Sequence, residues 1–166
     1  MQEQPLILTL KLDEESQTFF NAQRKLNFPP ERNFMDAHLM LFHQLPNEPG
    51  IYDHLAGLQV QTFNIQVTGL MNLGAGVAYR IDSPQLSSLH KLLSVQFSEV
   101  LIPQDRQGFR PHITIMNKRT PEAARELLKN MESDFSSFTV KAIGLDLWTY
   151  LGGPWRHEQT YFFLTS

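Results

Sequence analysis

One pattern is written twice along this chain, and that duplication limits the fold more than any other feature. Residues 63–70 (FNIQVTGL) and 138–145 (FTVKAIGL) both read Phe-x-β-x-small-x-Gly-Leu. Upstream of each lies a histidine inside an apolar run, AHLMLF at 37–42 and PHITIM at 111–116. His38 precedes Phe63 by 25 residues, and His112 precedes Phe138 by 26. Arg32 and Arg106 each stand six residues before a histidine, with Pro30 and Pro103 before them. Further back, Leu10-Lys11-Leu12-Asp13 matches Tyr79-Arg80-Ile81-Asp82. The order strand, helix, Pro/Arg loop, histidine strand, helix, hairpin strand therefore runs twice. Two long copies are too few for a solenoid. They fit a single domain over 1–166, with two pseudo-symmetric, interleaved lobes at approximately 1–74 and 75–166.

Local signals agree. Leu6, Leu8, Leu10 and Leu12 alternate at strand period. Asp13 is placed to cap a following helix, where Phe19, Ala22 and Leu26 fall at helical spacing. Ser83-Pro84 and Thr120-Pro121 read as N-caps followed by proline at the first helical position. The first predicts an inward stripe of Leu86, Leu89, Leu93, Phe97 and Val100, the second one of Ala124, Leu127, Leu128 and Met131. Asn47 to Leu58 reads as a short helical piece limited by Pro49-Gly50. Gly74-Ala75-Gly76 and Gly152-Gly153-Pro154 read as hairpin turns. The expected class is α+β: duplicated strand-helix-strand lobes with pseudo-twofold symmetry, antiparallel sheets lining a central groove, and helices outside.

Composition narrows the function classes. A chain of 166 residues with 42% apolar and 19% charged residues is a globular domain able to bury a core. It has no cysteine, which removes disulfides and thiolate metal sites. No apolar run approaches the ~18 residues of a membrane span, and the amino-terminal run alternates as a strand does; a cytoplasmic protein is expected. The net charge of −3 argues against a long nucleic-acid footprint. Residues 100–130 nonetheless carry Arg106, Arg110, Lys118, Arg119, Arg125 and Lys129 against Asp105, Glu122 and Glu126. That local excess of positive charge suits one or a few phosphates.

In strands, His38 shares a face with Met40 and Phe42, and His112 with Thr114 and Met116, while Leu39, Leu41, Ile113 and Ile115 face the core. The spacing thus sets one histidine per lobe on the groove side. An imidazole titrates near ~6.5, so one of a facing pair can accept a proton while the other donates. Such acid–base work supplies ~100- to 10,000-fold per group and calls for no metal, cofactor or covalent intermediate. His43, five residues past His38, falls by the same parity on the opposite face and reads as structural. Spacing of five on a strand is not the helical zinc motif. Gly74-Ala75-Gly76 lacks the third glycine of a dinucleotide fingerprint, since Tyr79 occupies its place.

His112-Ile113-Thr114-Ile115 is a His-x-Thr-x motif, and with His38-Leu39-Met40-Leu41 in register in a duplicated chain it resembles the two-histidine phosphoesterase superfamily. That superfamily includes RNA-ligase-like enzymes of 2′-5′ linkages and 2′,3′-cyclic phosphodiesterases, and the resemblance spans nearly the whole chain. It implies that His38 and His112 form the acid–base pair and that Thr114 donates to a non-bridging phosphate oxygen. It also implies a nucleotide or RNA end bearing a cyclic phosphate or 2′-5′ linkage as partner, with no membrane and no obligate protein partner. Lys118 and Arg110 are further phosphate-contact candidates. Phe42, Trp148, Tyr150 and Trp155 are candidate base-stacking platforms.

The chain departs from the family pattern at Met40, which stands where the family has Thr or Ser. Methionine cannot donate a hydrogen bond, and one to a charged group is worth ~1.5–3 kcal/mol. Two expectations follow. One is a weaker or altered enzyme. The other is a nucleotide or RNA-end binding module that kept the groove and lost efficient turnover. The same histidines suit a 2′,3′-cyclic end, a 2′-5′ linkage or a small cyclic nucleotide, in either the hydrolytic or the ligating direction.

Overall fold

A computed structural model describes residues 4–165. The elements are β1 (Leu6–Leu12), α1 (Glu14–Asn27), β2 (Leu39–Leu45), α2 (Pro49–Ala56) and β3 (Phe63–Asn72), then β4 (Val77–Asp82), α3 (Pro84–Gln96), β5 (His112–Met116), α4 (Pro121–Glu132), β6 (Phe138–Tyr150) and β7 (Trp155–Phe162). Short 3-10 turns at Pro30–Arg32 and Pro103–Arg106 precede the histidine strands. The element order from β1 to β3 is thus repeated from β4 to β6, with β7 appended.

Caps start the helices where the sequence places them. Asp13 accepts from the Ser16 amide, Ser83 from Leu86 and Thr120 from Ala123. Pro49, Pro84 and Pro121 occupy first-turn positions, where the missing N–H has no helical partner to lose. Gly74 and Gly152 adopt φ of 91°, the conformation their hairpin turns require.

The sheet order is β1-β2-β5-β4-β3-β6-β7, and β1 also pairs with β6, so the order returns on itself. All seven strand pairings are antiparallel. The copies exchange their third strands: β3 pairs with β4 and β6 with β1. The long β6 serves both lobes, its first residues against β3 and its later ones between β1 and β7. Between them, β2 and β5 meet at a single ladder pair, Leu39↔Ile113. Past that point they part, and the groove opens there.

The main core joins the inner faces of the strands to Phe20, Ile51, Leu55, Leu86, Leu89, Leu93 and Phe97 from the helices. A smaller cluster of Val77, Met116 and Ala124 is backed by Leu127, Leu128 and Met131. Two inward stripes differ from expectation. Val100 lies beyond α3 and is exposed. On α1 the buried residues are Phe20 and Arg24, while Phe19 and Leu26 are exposed. Arg24 hides the true stripe from a hydrophobic count: its guanidinium carbon lies 3.9 Å from the Phe28 ring centroid and its Nε donates to Asn33 Oδ1 at 2.7 Å.

Candidate active site

The Leu39↔Ile113 pair sets the geometry of the groove. Continuing that antiparallel register one residue each way puts His38 opposite Thr114 and Met40 opposite His112. His38 and His112 are then diagonal neighbours, with backbones about 7–8 Å apart. Both line one cavity of about 400 Å³ with Met40, Thr114, Arg110, Gln104, Asp105 and the segment from Gln107 to Phe109.

Each catalytic candidate is held in the same way. His38 Nδ1 donates to the Asp36 carbonyl at 2.9 Å, and His112 Nδ1 to the Arg110 carbonyl at 2.7 Å. A carbonyl only accepts, so Nδ1 carries the proton and Nε2 is the free nitrogen in each neutral ring. The rings differ in surroundings. Trp155 lies over His38, ring centroids 4.7 Å apart. Burial drives the His38 imidazole down to about 4; the Asp36 carbonyl pulls the other way, and positive charge on Arg24, His112 or His43 adds to the lowering. At neutral pH His38 is therefore an uncharged proton acceptor.

The alternation expected along β2 fails at Leu41. The register runs Leu10↔Leu39, Thr9↔Met40, then Leu8↔Phe42, so Leu41 is an extra residue, a β-bulge. The bulge moves Phe42 and His43 to the opposite faces, and a second register shift follows before Leu45. Phe42 is consequently not beside His38 on the groove: it is fully buried and stacks on His90 at 4.7 Å. His90 stacks in turn on Phe109 at 3.8 Å, which fixes the loop leading into His112. His43 moves the opposite way, out of its expected structural position and onto the cavity wall.

His43 meets Asp105 there. The Asp105 carboxylate, side chain 1% exposed, accepts from His43 Nδ1 at 2.7 Å and from the amides of His43 and Gln44 at 2.9–3.1 Å. Burial pushes its carboxyl up, but the bonds from the His43 ring and the two amides outweigh that and hold it below the usual range. Sequence parity could not show this site, because a bulge leaves no signature in alternation alone.

The remaining candidates divide. Arg110 lines the cavity. Lys118 does not: it lies past the far end of β5, six residues or about 20 Å of extended chain from His112. Arg106 donates to the Leu101 carbonyl at 3.0 Å and also lies outside the cavity lining, as Arg32 does. A second cavity of about 450 Å³ adjoins the first across His38, lined by Trp148, Trp155, Lys11, Asp146, His157 and Thr160. His157 Nε2 bonds Asp146 at 2.9 Å, and Trp148 donates to Thr9 at 3.0 Å. Tyr150 is outside that lining. Among the described residues no three His, Asp or Glu side chains are grouped so as to hold a metal ion.

The model of the 2′-5′ RNA ligase superfamily matches residues 12–154, a span that takes in both histidine strands. The chain belongs to that superfamily. Its fold is similar to E. coli LigT crystallised with 3′-AMP, at TM-score 0.61 and 18% identity over 97% of this chain and 98% of that one. A crystal structure described as a phosphoesterase matches at TM-score 0.62 and 17% identity, covering 97% and 98%. E. coli LigT with ATP matches at 0.60 and 17%, covering 98% and 99%. No curated protein sequence matches the chain. A phosphoesterase or RNA-ligase-like enzyme is the coarse function that membership supports. No helix among the described residues is long and apolar enough to cross a membrane.

Proposed function

We propose that this member of the superfamily is a metal-independent phosphoesterase of nucleotides or RNA ends, using His38 and His112 as its acid–base pair. The observation that carries the reading is the twice-built histidine: same carbonyl restraint on Nδ1, same free Nε2, one shared cavity. For a 2′,3′-cyclic phosphate, His38 Nε2 takes a proton from water as its oxygen attacks phosphorus. His112 Nε2–H protonates the departing ribose oxygen, and the pair has then exchanged roles. Thr114 donates to a non-bridging oxygen and Arg110 offsets the phosphate charge. The adjoining cavity, with Trp155 against His38, offers a base a stacking surface. The solved relative LigT holding 3′-AMP and ATP favours a nucleotide over other phosphoesters.

A second reading rests on Met40, whose thioether faces His112 without a proton to give. In it the groove binds nucleotide ends and turns them over poorly. One assay separates the two: hydrolysis of a panel of nucleoside 2′,3′-cyclic phosphates across pH 4–9, with chelator present, by wild type, His38→Ala and His112→Ala. Chelator-resistant turnover lost in both variants supports the enzyme. Nucleotide binding with a raised melting temperature but no turnover supports the binding module.

A further inference from the structure

We propose that His43, held by Asp105, supplies in the first copy the phosphate contact that Met40 cannot make. The proposal rests on the reading that a phosphate sits between His38 and His112. It assigns to His43 a role as a specificity-determining donor, distinct from the acid–base pair.

The argument starts from the bulge. Leu41 interrupts the ladder after Met40, and the chain re-emerges with His43 on the wall of the cavity that holds His38, Met40, His112 and Thr114. At the same place β2 has parted from β5, so the amides of His43 and Gln44 find no ladder partner on that side. Asp105 takes both. Those bonds alone satisfy the bulge. Anchoring the His43 ring as well is not needed for folding, yet Asp105 Oδ1 accepts from its Nδ1 at 2.7 Å, the shortest of these contacts.

The chemistry follows from that bond. A buried carboxylate with three β2 donors keeps its charge. It fixes the His43 proton on Nδ1 and leaves Nε2 free; no protein bond to Nε2 occurs among the described residues. The ring is 43% exposed, so Nε2 is open to a ligand. An imidazolium donates at both nitrogens, which here would place Asp105 on one side and an anionic phosphate oxygen on the other. His43 is near enough to His38 for its positive charge to disfavour a second one there. A phosphate between the catalytic rings therefore lies within its electrostatic reach. Residue 40 has no hydroxyl, and beyond the bulge His43 brings a different donor to the same wall.

The test is a double-mutant cycle read by binding of inorganic phosphate and by KM for a 2′,3′-cyclic nucleotide, in wild type, His43→Ala, Met40→Thr and the double variant. His43→Ala is expected to weaken phosphate binding and raise KM by ~10- to 150-fold, the range for one hydrogen bond to a charged group. Met40→Thr is expected to help little in wild type and to restore most of the loss in His43→Ala, a non-additivity only a shared ligand explains. His43→Gln, which keeps a donor, should retain part of the binding, and unchanged melting temperatures separate these effects from folding. Phosphate binding by His43→Ala equal to wild type, while His38→Ala and His112→Ala abolish turnover, overturns this proposal and leaves the proposed function standing. Additive effects of the two substitutions overturn it too. If neither His38→Ala nor His112→Ala affects turnover, the proposed function fails, and this inference with it.

Discussion

The two histidine strands hold equivalent places in the element order and differ in two ways. β5 carries Thr114 and, like β2, has an extra residue three past its histidine, Ile115, beyond which Met116 is buried. β2 is bulged at Leu41, carries Met40, and has its histidine under Trp155. What both retain is the Nδ1 bond to the carbonyl two residues back. Duplication supplies two equivalent imidazoles, whereas acid–base catalysis needs two unequal ones. The environments are unequal on the His38 side, where burial holds the ring neutral.

The largest effect expected from breaking this pairing is on turnover. Replacing either His38 or His112 by alanine should lower kcat/KM for a cyclic nucleotide by ~100- to 10,000-fold, with the double variant little worse than the worse single. Steady-state kinetics on the four proteins checks this. The next effect is at the hydroxyl that only β5 kept. Thr114→Val should cost ~10- to 150-fold, the worth of one hydrogen bond to a charged group, while Met40→Leu should change little. Equal losses at the two positions would show that the copies are still equivalent.

Trp155 sharpens the comparison from the other side, since no such ring covers His112 among the contacts of the described residues. Trp155→Ala should weaken nucleotide binding by ~5- to 150-fold, the equivalent of a ~1–3 kcal/mol stack. Inorganic phosphate should bind as before, and calorimetry with both ligands separates base from phosphate.

The smallest effect is on stability. His38 is held below its unfolded value, so the fold favours its neutral form. The stability it contributes is whole above ~6.5 and is lost as the pH falls toward about 4. His90, lowered by burial between Phe42 and Phe109, acts in the same direction. His38→Gln should flatten part of the decline of melting temperature in that window.

Much of this was legible in the sequence. Repeated Phe-x-β-x-small-x-Gly-Leu segments, caps at Asp13, Ser83 and Thr120, and two hairpin glycines gave the element order and the α+β class. Period-two alternation also marked His38, Met40, His112 and Thr114 as one face. It failed where geometry departs from period. The Leu41 bulge sent Phe42 into the core and His43 into the cavity, and nothing in residues 38–45 announces an extra residue in the ladder. Lys118, named for its place after the second motif, lies past the end of β5 and outside the lining of the histidine cavity. Arg24, a cation on a buried stripe, concealed the inner face of α1. His157 drew no notice because β7 lies outside the repeat, and its partner Asp146 because it follows the last repeated residue of β6.

The most direct test of unequal histidines is the pH dependence of kcat/KM for a nucleoside 2′,3′-cyclic phosphate in wild type and Trp155→Ala. A neutral, part-buried His38 acting as base predicts an acid limb falling near about 4 in wild type, moving up toward ~6.5 when the covering indole is removed. An acid limb already near ~6.5, and the same in both proteins, would contradict it.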